Sequence, residues 1–156
     1  MIAFSAPLAA FAFARPRWFA PVLGALAACG FQPLGLWLLT LLAVAALIAL
    51  VARANTARDA AMLGWLFGVG HFSAGNTWIA TAFTYQANLP TWLGGIAVVA
   101  LSLYLALFPM LAAVAAWWTA RGHAAVLVPA FAGWWIVAEW LRSWLFTGFA
   151  WNPLGA

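Results

Sequence analysis

The chain has 156 residues, of which 69% are hydrophobic and 5% are charged. A single small core cannot bury that much apolar surface, so composition excludes an ordinary soluble domain and indicates that a lipid bilayer is the solvent. The net charge of +4 comes from arginine alone, in a few short stretches, which argues against nucleic acid as a partner. The sequence predicts an all-α membrane protein, a bundle of about five transmembrane helices.

The predicted spans follow one another along the chain, separated by short breaks that hold most polar residues. An apolar segment at 1–15 comes first, and its arginines follow it instead of preceding it, so we expect it to be retained and not cleaved as a signal. Pro109 should kink the fourth span. Residues 16–156 should form one helical domain, with spans at 16–34, 35–52, 60–84, 92–119 and 124–146. The uncharged end at 152–156 is typical of a truncated product.

The arginines predict the orientation, because loops rich in Lys or Arg stay on the cytoplasmic side. When five spans are threaded alternately, one side receives Arg15, Arg17, Arg53, Arg58 and Arg121. The opposite loops carry no charge. The N-terminus should therefore be cytoplasmic and the C-terminal end should emerge on the outer side. Trp134 and Trp135 do not fit an interfacial belt, and we expect both to pack inside the bundle.

Glu139 and Arg142 are charged residues within the fifth predicted span, where lipid makes charge costly. Their spacing of three places both on one helical face, with the acid first, which is the favourable order. One interpretation is an internal ion pair whose arginine extends toward the outer interface. Another is a pair that holds a lipid headgroup or braces an external domain. We favour the structural interpretation.

A repeated spacing of four and three residues marks one face of the third predicted span. Its members are Gly64, Gly68, His71, Gly75 and Trp78. The glycines permit close approach of another helix. His71 should then face a neighbouring helix as a neutral, hydrogen-bonded imidazole, a more probable role for it than proton relay or metal ligand.

Cys29 is the single cysteine, so the chain can form no internal disulfide and has no paired metal-ligand spacing. A reactive thiolate needs a nearby cation, a histidine or a helix N-terminus, and the sequence around Cys29 offers none. We predict a buried, inert thiol and neither a metal nor a cofactor.

Two segments carry a family resemblance. Residues 75–78 read GNTW, and residues 139–151 read EWLRSWLFTGFAW, close to a pattern E-[FW]-L-R followed by T-G-F-P-W. Weaker similarity lies at 30–33. The chain from about residue 17 to 156 resembles the N-terminal membrane region of the apolipoprotein N-acyltransferases. Ala150 stands where that family usually has proline.

The resemblance implies a bacterial inner-membrane enzyme with eight transmembrane helices and a nitrilase-like domain on the outer face. A cysteine of that domain takes an acyl chain from a phospholipid and passes it to the diacylglyceryl-cysteine amine of a lipoprotein, aided by a glutamate and a lysine. That catalytic domain is absent from this chain, so no catalytic residue is assigned here. Membrane lipids, the phospholipid donor and the lipoprotein acceptor are the implied partners.

What remains for this chain is to seat lipid and to anchor the catalytic domain. The candidate residues for these contacts lie at the outer ends of the third and fifth spans. They are Glu139, Arg142, Trp144, Gly148, Phe149, Trp151, Asn76 and Trp78.

Two other classes of function stay open. A small transporter or channel subunit predicts that His71, Glu139 and Arg142 converge on one water-filled cavity. A structural membrane scaffold predicts packing faces without a cavity. The polar residues are few and are expected at different depths, so we rank both below the acyltransferase.

Overall fold

The computed structural model describes residues 14–85, 90–145, 148, 153 and 154, and within these ranges every regular element is a helix. The predicted all-α fold is therefore confirmed for the described residues. Most of the N-terminal segment 1–15 lies outside them. The helices are α1 (Pro16–Ala28), α2 (Trp37–Ala52), α3 (Ala57–Gly75), α4 (Thr77–Thr84), α5 (Trp92–Leu105), α6 (Leu107–Ala120) and α7 (Ala124–Trp144).

The third predicted span is two helices instead of one, because the α-helix ends at Asn76 and α4 starts at the next residue. Asn76 departs from helical geometry, with φ −107° and ψ 15°. Asparagine is a weak helix former because its side chain competes for backbone hydrogen bonds. The prediction of an unbroken helix over 60–84 is wrong at this residue.

The fourth predicted span is interrupted as expected, but the interruption falls at Ala106, between α5 and α6. Proline at 109 has no N–H to donate to the carbonyl of Leu105, and its ring crowds that carbonyl. The disturbance therefore appears in the turn that precedes Pro109. Both helices continue the same apolar segment.

Helix α1 ends at Ala28, earlier than the predicted boundary at 34. The chain then makes a series of turns, among them one at Gly35, whose φ is +64°. A residue that precedes proline is disfavoured in helical geometry, which helps to keep Gln32 and Pro33 out of the helix. The first segment is therefore a short helix followed by a compact turn.

Two helical stretches are long and apolar enough to cross a membrane. They are Trp92–Ala120, with 29 residues, and Ala124–Trp144, with 21 residues. Helix α2 is equally apolar but has only 16 residues. Length and composition thus support the membrane prediction for the fourth and fifth segments, and membrane spanning by the first three stays a prediction.

Helix α3 is the centre of the bundle and packs against α1, α5 and α6. Gly64 and Gly68 lie on its contact with α6, where an added Cβ would come within 2.7 Å of atoms of Ala113 and Ala106 respectively. These distances support the predicted close-packing role of the two glycines.

A second glycine contact joins α1 to α3. A Cβ on Gly24 would collide with the backbone of Phe67 and come within 2.7 Å of the His71 nitrogen. A Cβ on Gly70 would collide with the backbone of Pro21. The sequence analysis did not identify this contact, because Gly70 lies outside the spacing of four and three.

Two tryptophan predictions are wrong. Trp78 lies beyond the break at Asn76 and is 49% exposed, so it does not continue the buried face of α3. Trp134 is 41% exposed and donates from Nε1 to Thr119 Oγ1 at 2.9 Å. Trp135 packs in the core as expected.

Contacts and shared cavities group the polar residues at two distinct ends of the bundle. The arginine end carries Arg17, Arg53, Arg58 and Arg121, near the start of α1 and α3 and the end of α2 and α6. The Glu139 end carries the turn after α1, the break at Asn76 and the last turns of α7. The predicted grouping of arginines on one side agrees with this arrangement.

Candidate functional site

Arg142 is buried within the Glu139 end, with only 3% of its surface exposed. Its guanidinium carbon lies 5.3 Å from the centroid of the Phe72 ring, a cation–π distance. The side chain thus turns into the bundle. The expectation that Arg142 extends toward an interface is wrong, because Phe72 and the cavity beside it provide an internal place for the cation.

Glu139 lies one turn before Arg142, near enough for the two charges to attract each other. Its Oε1 accepts hydrogen bonds from Trp135 Nε1 at 3.0 Å and from the backbone N–H of Leu154 at 2.7 Å. Leu154 also packs against the hydrophobic core. One carboxylate therefore fastens a residue ten positions beyond the end of α7 to the side of that helix.

His71 is 3% exposed and lies among three aromatic rings. The ring centroids of Phe31, Phe67 and Phe72 are 5.5, 6.1 and 5.0 Å from that of His71. His71 also lies beside Gly24, at the contact between α1 and α3. This agrees with the predicted structural histidine facing a neighbouring helix. Its Nδ1 has no hydrogen-bond partner among the described residues.

A small cavity of about 10 Å³ brings these residues together. Its wall includes His71, Glu139 and Arg142, with Phe72 and Trp135 between them. The expectation that the polar groups lie at different depths is therefore wrong, because side chains of α3 and α7 meet at this end, Phe67 with Trp135 and Phe72 with Arg142. A volume of this size holds about one water molecule, which is too little for a transport pathway.

Asn76 is 1% exposed, and its Nδ2 has no hydrogen-bond partner within the described part of the chain. Its backbone is used, however, since its N–H donates to the Phe72 carbonyl at 3.0 Å and its own carbonyl accepts from Ile79 at 3.0 Å. Asn76 thus holds the corner between α3 and α4. Buried side-chain amides usually have a hydrogen-bond partner, so the position of Asn76 is a feature of this corner that apolar packing alone does not explain.

Among the described residues of the two family-like segments, Gly75, Trp144 and Gly148 do not line the cavity. Gly75 is half-buried, whereas Trp144 is 72% exposed. Gly148 has φ +69°, and a Cβ there would collide with the Ser143 carbonyl, so this turn requires glycine. Phe149 and Trp151 lie outside the described residues.

Sequence reasoning missed Phe72 and Leu154 as members of the cluster. Phe72 lies one position after His71 and carries no polar signal. Leu154 reaches Glu139 only because the chain turns back after α7. Neither contact has a periodic pattern that could reveal it.

Cys29 lies in the turn after α1, half-buried, with Sγ 3.6 Å from the Ala25 carbonyl oxygen. The thiol is therefore half-buried and not buried as predicted, and its inertness stays a prediction. No group of three His, Cys, Asp or Glu side chains suited to a metal ion occurs in the part of the chain that the structure describes.

The arginine end carries an exposed ion pair, with Arg17 Nη2 3.0 Å from Asp59 Oδ1. Thr56 caps α3 by accepting from the Asp59 N–H at 3.1 Å, and its hydroxyl donates to Asp59 Oδ2 at 2.8 Å. The Thr56 hydroxyl, with a second contribution from Arg17, holds the pKa of the Asp59 carboxyl below its usual value of 3.8. This cap fixes where α3 starts.

Comparison with known proteins shows the family. Residues 23–156 match the family model described as the apolipoprotein N-acyltransferase N-terminal domain. An apolipoprotein N-acyltransferase of Ralstonia nicotianae is 40% identical over 154 residues, covering 96% of this chain and 29% of that relative. One of Nitrosomonas europaea is 38% identical over 136 residues, covering 85% of this chain and 27% of the relative.

A third relative, the apolipoprotein N-acyltransferase of Sinorhizobium fredii, is 46% identical over 99 residues, which are 62% of this chain and 18% of the relative. The chain thus spans less than a third of the length of the three relatives. On the family match and these identities together, the chain belongs to the apolipoprotein N-acyltransferase family and corresponds to its N-terminal domain.

Proposed function

We propose that the chain is the membrane domain of a phospholipid:apolipoprotein N-acyltransferase, which N-acylates the N-terminal diacylglyceryl-cysteine of lipoproteins. Its part in that reaction is to seat lipid and to hold the catalytic domain at the membrane surface. The cysteine, glutamate and lysine of the acyl transfer belong to a nitrilase-like domain outside this chain.

The observation that carries this proposal is the pair of hydrogen bonds on Glu139, which fasten Leu154 and Trp135 to one carboxylate. In the relatives, most of the protein lies outside the region that this chain matches. The segment after α7 is the part of this chain nearest in sequence to the region that follows. Because Leu154 is hydrogen-bonded to the bundle, a domain that follows it in the sequence would start from a fixed position.

The bilayer placement is supported by the apolar side chains on the outside of the bundle. Leu41, Leu42 and Ile136 are each more than half exposed. Many large apolar side chains at the surface favour contact with lipid or with another protein. The proposed location is the bacterial inner membrane, with all five helical segments in lipid, the arginine end cytoplasmic and the Glu139 end periplasmic.

A chimera tests the proposal. The matched N-terminal region of the Ralstonia nicotianae relative is replaced by this chain, and N-acylation of a diacylglyceryl-cysteine peptide is followed by mass spectrometry. We expect acylated peptide. A control carries a substitution at the catalytic cysteine of the relative and should give none. A chimera that is membrane-inserted and folded, yet inactive, contradicts the proposal.

The chain by itself should not catalyse acyl transfer. That reaction needs a nucleophile, a base and an oxyanion donor within reach of one another. Cys29 lies in the turn after α1, Glu139 is committed to two hydrogen bonds, and the sequence contains no lysine. The chain purified in lipid, given phospholipid and a diacylglyceryl peptide, should yield neither an acylated protein nor an acylated peptide. A thioester on Cys29 would contradict this division of roles.

A transporter is the alternative with a specific observation in its favour, since His71, Glu139 and Arg142 share one cavity. The cavity holds about one water molecule. The Phe72 ring lies against the Arg142 guanidinium. An isolated water site suits a rigid bundle better than a pathway. We therefore rank transport second.

A further inference from the structure

An apolar groove of about 690 Å³ runs along the outside of the bundle between α6 and α7. Leu111, Val114 and Ala115 form its wall on α6, and Trp134 forms its wall on α7. Trp118 and Arg121 lie at its arginine end. The groove is thus apolar along its length and positively charged at one end.

The wall at Trp134 is held in place. Its Nε1 donates to Thr119 Oγ1 at 2.9 Å, and that hydroxyl donates to the Ala115 carbonyl at 2.8 Å. Because the indole N–H already has an acceptor, the ring presents its apolar face to the groove without leaving a polar group unsatisfied. A groove fixed in this way loses little conformational entropy when it is filled.

Arg121 ends α6 in the left-handed conformation, with φ 46°. Its side chain is exposed, and none of the described residues gives it a hydrogen bond or an ion pair. Arg121 and Trp118 also line a second cavity, of about 330 Å³, together with His123 and Trp117. The guanidinium is therefore available to an anion where the groove meets the end of the bundle.

We propose that this groove binds one anionic phospholipid of the leaflet at the arginine end. Its phosphate pairs with Arg121 and one acyl chain lies against Leu111, Val114 and Trp134. A planar guanidinium matches a phosphate in shape and charge, and tryptophan favours the level of the headgroups. The occupant is a lipid and not a free anion, because most of the groove wall is hydrocarbon.

This site lies at the end of the bundle opposite the Glu139 cluster. It requires that the chain lie in a bilayer, but it does not require acyl transfer. Binding is therefore measured without any reaction, and its failure is distinguishable from a failure of the chimera described above. A lipid held here would fix α6 against α7 from outside.

The test is native mass spectrometry of the purified chain with added phosphatidylglycerol, and with phosphatidylcholine as the neutral lipid. We expect one phosphatidylglycerol to be retained in preference to phosphatidylcholine. Arg121→Gln should weaken this binding by about fivefold, the effect of one arginine near an anionic surface. The matched control is Arg58→Gln, which removes an exposed arginine of the same end that lines neither cavity.

A second pair of variants tests the apolar part of the site. Ala115→Trp fills the groove and leaves Arg121 in place, whereas Ala100→Trp adds the same ring to an exposed position on α5. We expect only Ala115→Trp to displace the lipid. Equal losses in Arg121→Gln and Arg58→Gln would overturn the proposal, because they indicate general charge attraction. Displacement of the lipid by inorganic phosphate alone would overturn it as well.

Discussion

The two ends of the bundle handle charge differently. At the Glu139 end, Arg142 is 3% exposed and lies over an aromatic ring, and the neighbouring carboxylate accepts two N–H groups. At the arginine end, Arg17 and Asp59 form an ion pair whose side chains are 64% and 34% exposed. Charge at the first end holds helices and a turn together, whereas charge at the second end lies at the surface.

The difference separates two uses of ionic groups. A buried charge tolerates poorly the loss of a neighbouring opposite charge, because the remaining charge stays in a medium of low dielectric constant. An exposed pair is screened by water and salt, so its loss costs little. The Glu139 end should therefore govern stability, and the arginine end should govern orientation in the membrane.

The largest expected effect concerns orientation. Cysteines introduced by Asn55→Cys and by Thr91→Cys, in a Cys29→Ser background, should label from opposite sides of the membrane, with position 91 outside. The reason is that arginines flank position 55 and no charge lies near position 91. The measurement is labelling of intact cells by an impermeant maleimide. Both sites should label after permeabilisation, and labelling of both in intact cells contradicts the comparison.

Arg142→Ala should cause the largest loss of stability. Removing the buried guanidinium leaves the half-buried Glu139 carboxylate without its neighbouring cation and costs about 3 kcal/mol. The matched control, Arg58→Ala, removes an exposed arginine and should cost about 0.5 kcal/mol or less. The free energy of unfolding is measured by denaturation in mixed micelles.

A double substitution, Glu139→Leu with Arg142→Leu, sharpens that result. It should be less destabilising than Arg142→Ala, because no unpaired charge remains. Recovery should be incomplete, since Trp135 and Leu154 both lose their acceptor. If the double variant is as unstable as Arg142→Ala, the unpaired Glu139 charge is not the cause of the instability of Arg142→Ala.

A smaller and more local effect is expected at the segment after α7. Glu139→Leu removes the acceptor of the Leu154 N–H, a loss of about 1 to 2 kcal/mol, whereas Glu139→Gln keeps an amide oxygen in its place. Hydrogen exchange at the Leu154 amide should become about five- to thirtyfold faster in the leucine variant. Equal protection in both variants would mean that Glu139 does not hold the segment.

The smallest effect concerns Asp59. Its pKa is lowered in the folded chain, so its contribution to stability is present above 3.8 and is lost as pH falls through the lowered folded value. The difference in melting temperature between the native chain and Asp59→Asn should therefore be small near neutral pH and vanish in acid. Thr56→Val should reduce this difference in melting temperature more than Arg17→Gln does, because the Thr56 hydroxyl contributes more than Arg17 to the lowered pKa of Asp59. A difference in melting temperature that grows as the pH falls would contradict a lowered pKa of Asp59.

Local features of the sequence were sufficient to predict the helical class and the approximate course of the five segments. Apolar runs, prolines and arginine-rich breaks act within a few residues of one another, and Pro109 is an example whose disturbance falls only three residues away, at Ala106. The break at Asn76 was missed because one polar residue in an apolar run does not by itself indicate a corner.

The candidate site was predictable only as single residues. Glu139, Arg142 and His71 attract attention because lipid makes them costly. Their meeting around one cavity depends on how α3 and α7 pack, and no spacing within either helix encodes that. The same holds for the hydrogen bond from Leu154, since a segment outside the helices has no period that places it.

The contact at Gly24 and Gly70 has a consequence for the order of assembly. It brings the backbone of the first helix against the backbone of the third, with His71 beside Gly24 at the same contact. During synthesis, α1 and α2 leave the ribosome before α3 exists. In the proposed bilayer placement, the glycine face of α1 therefore lies in lipid, with only α2 beside it, until α3 is inserted.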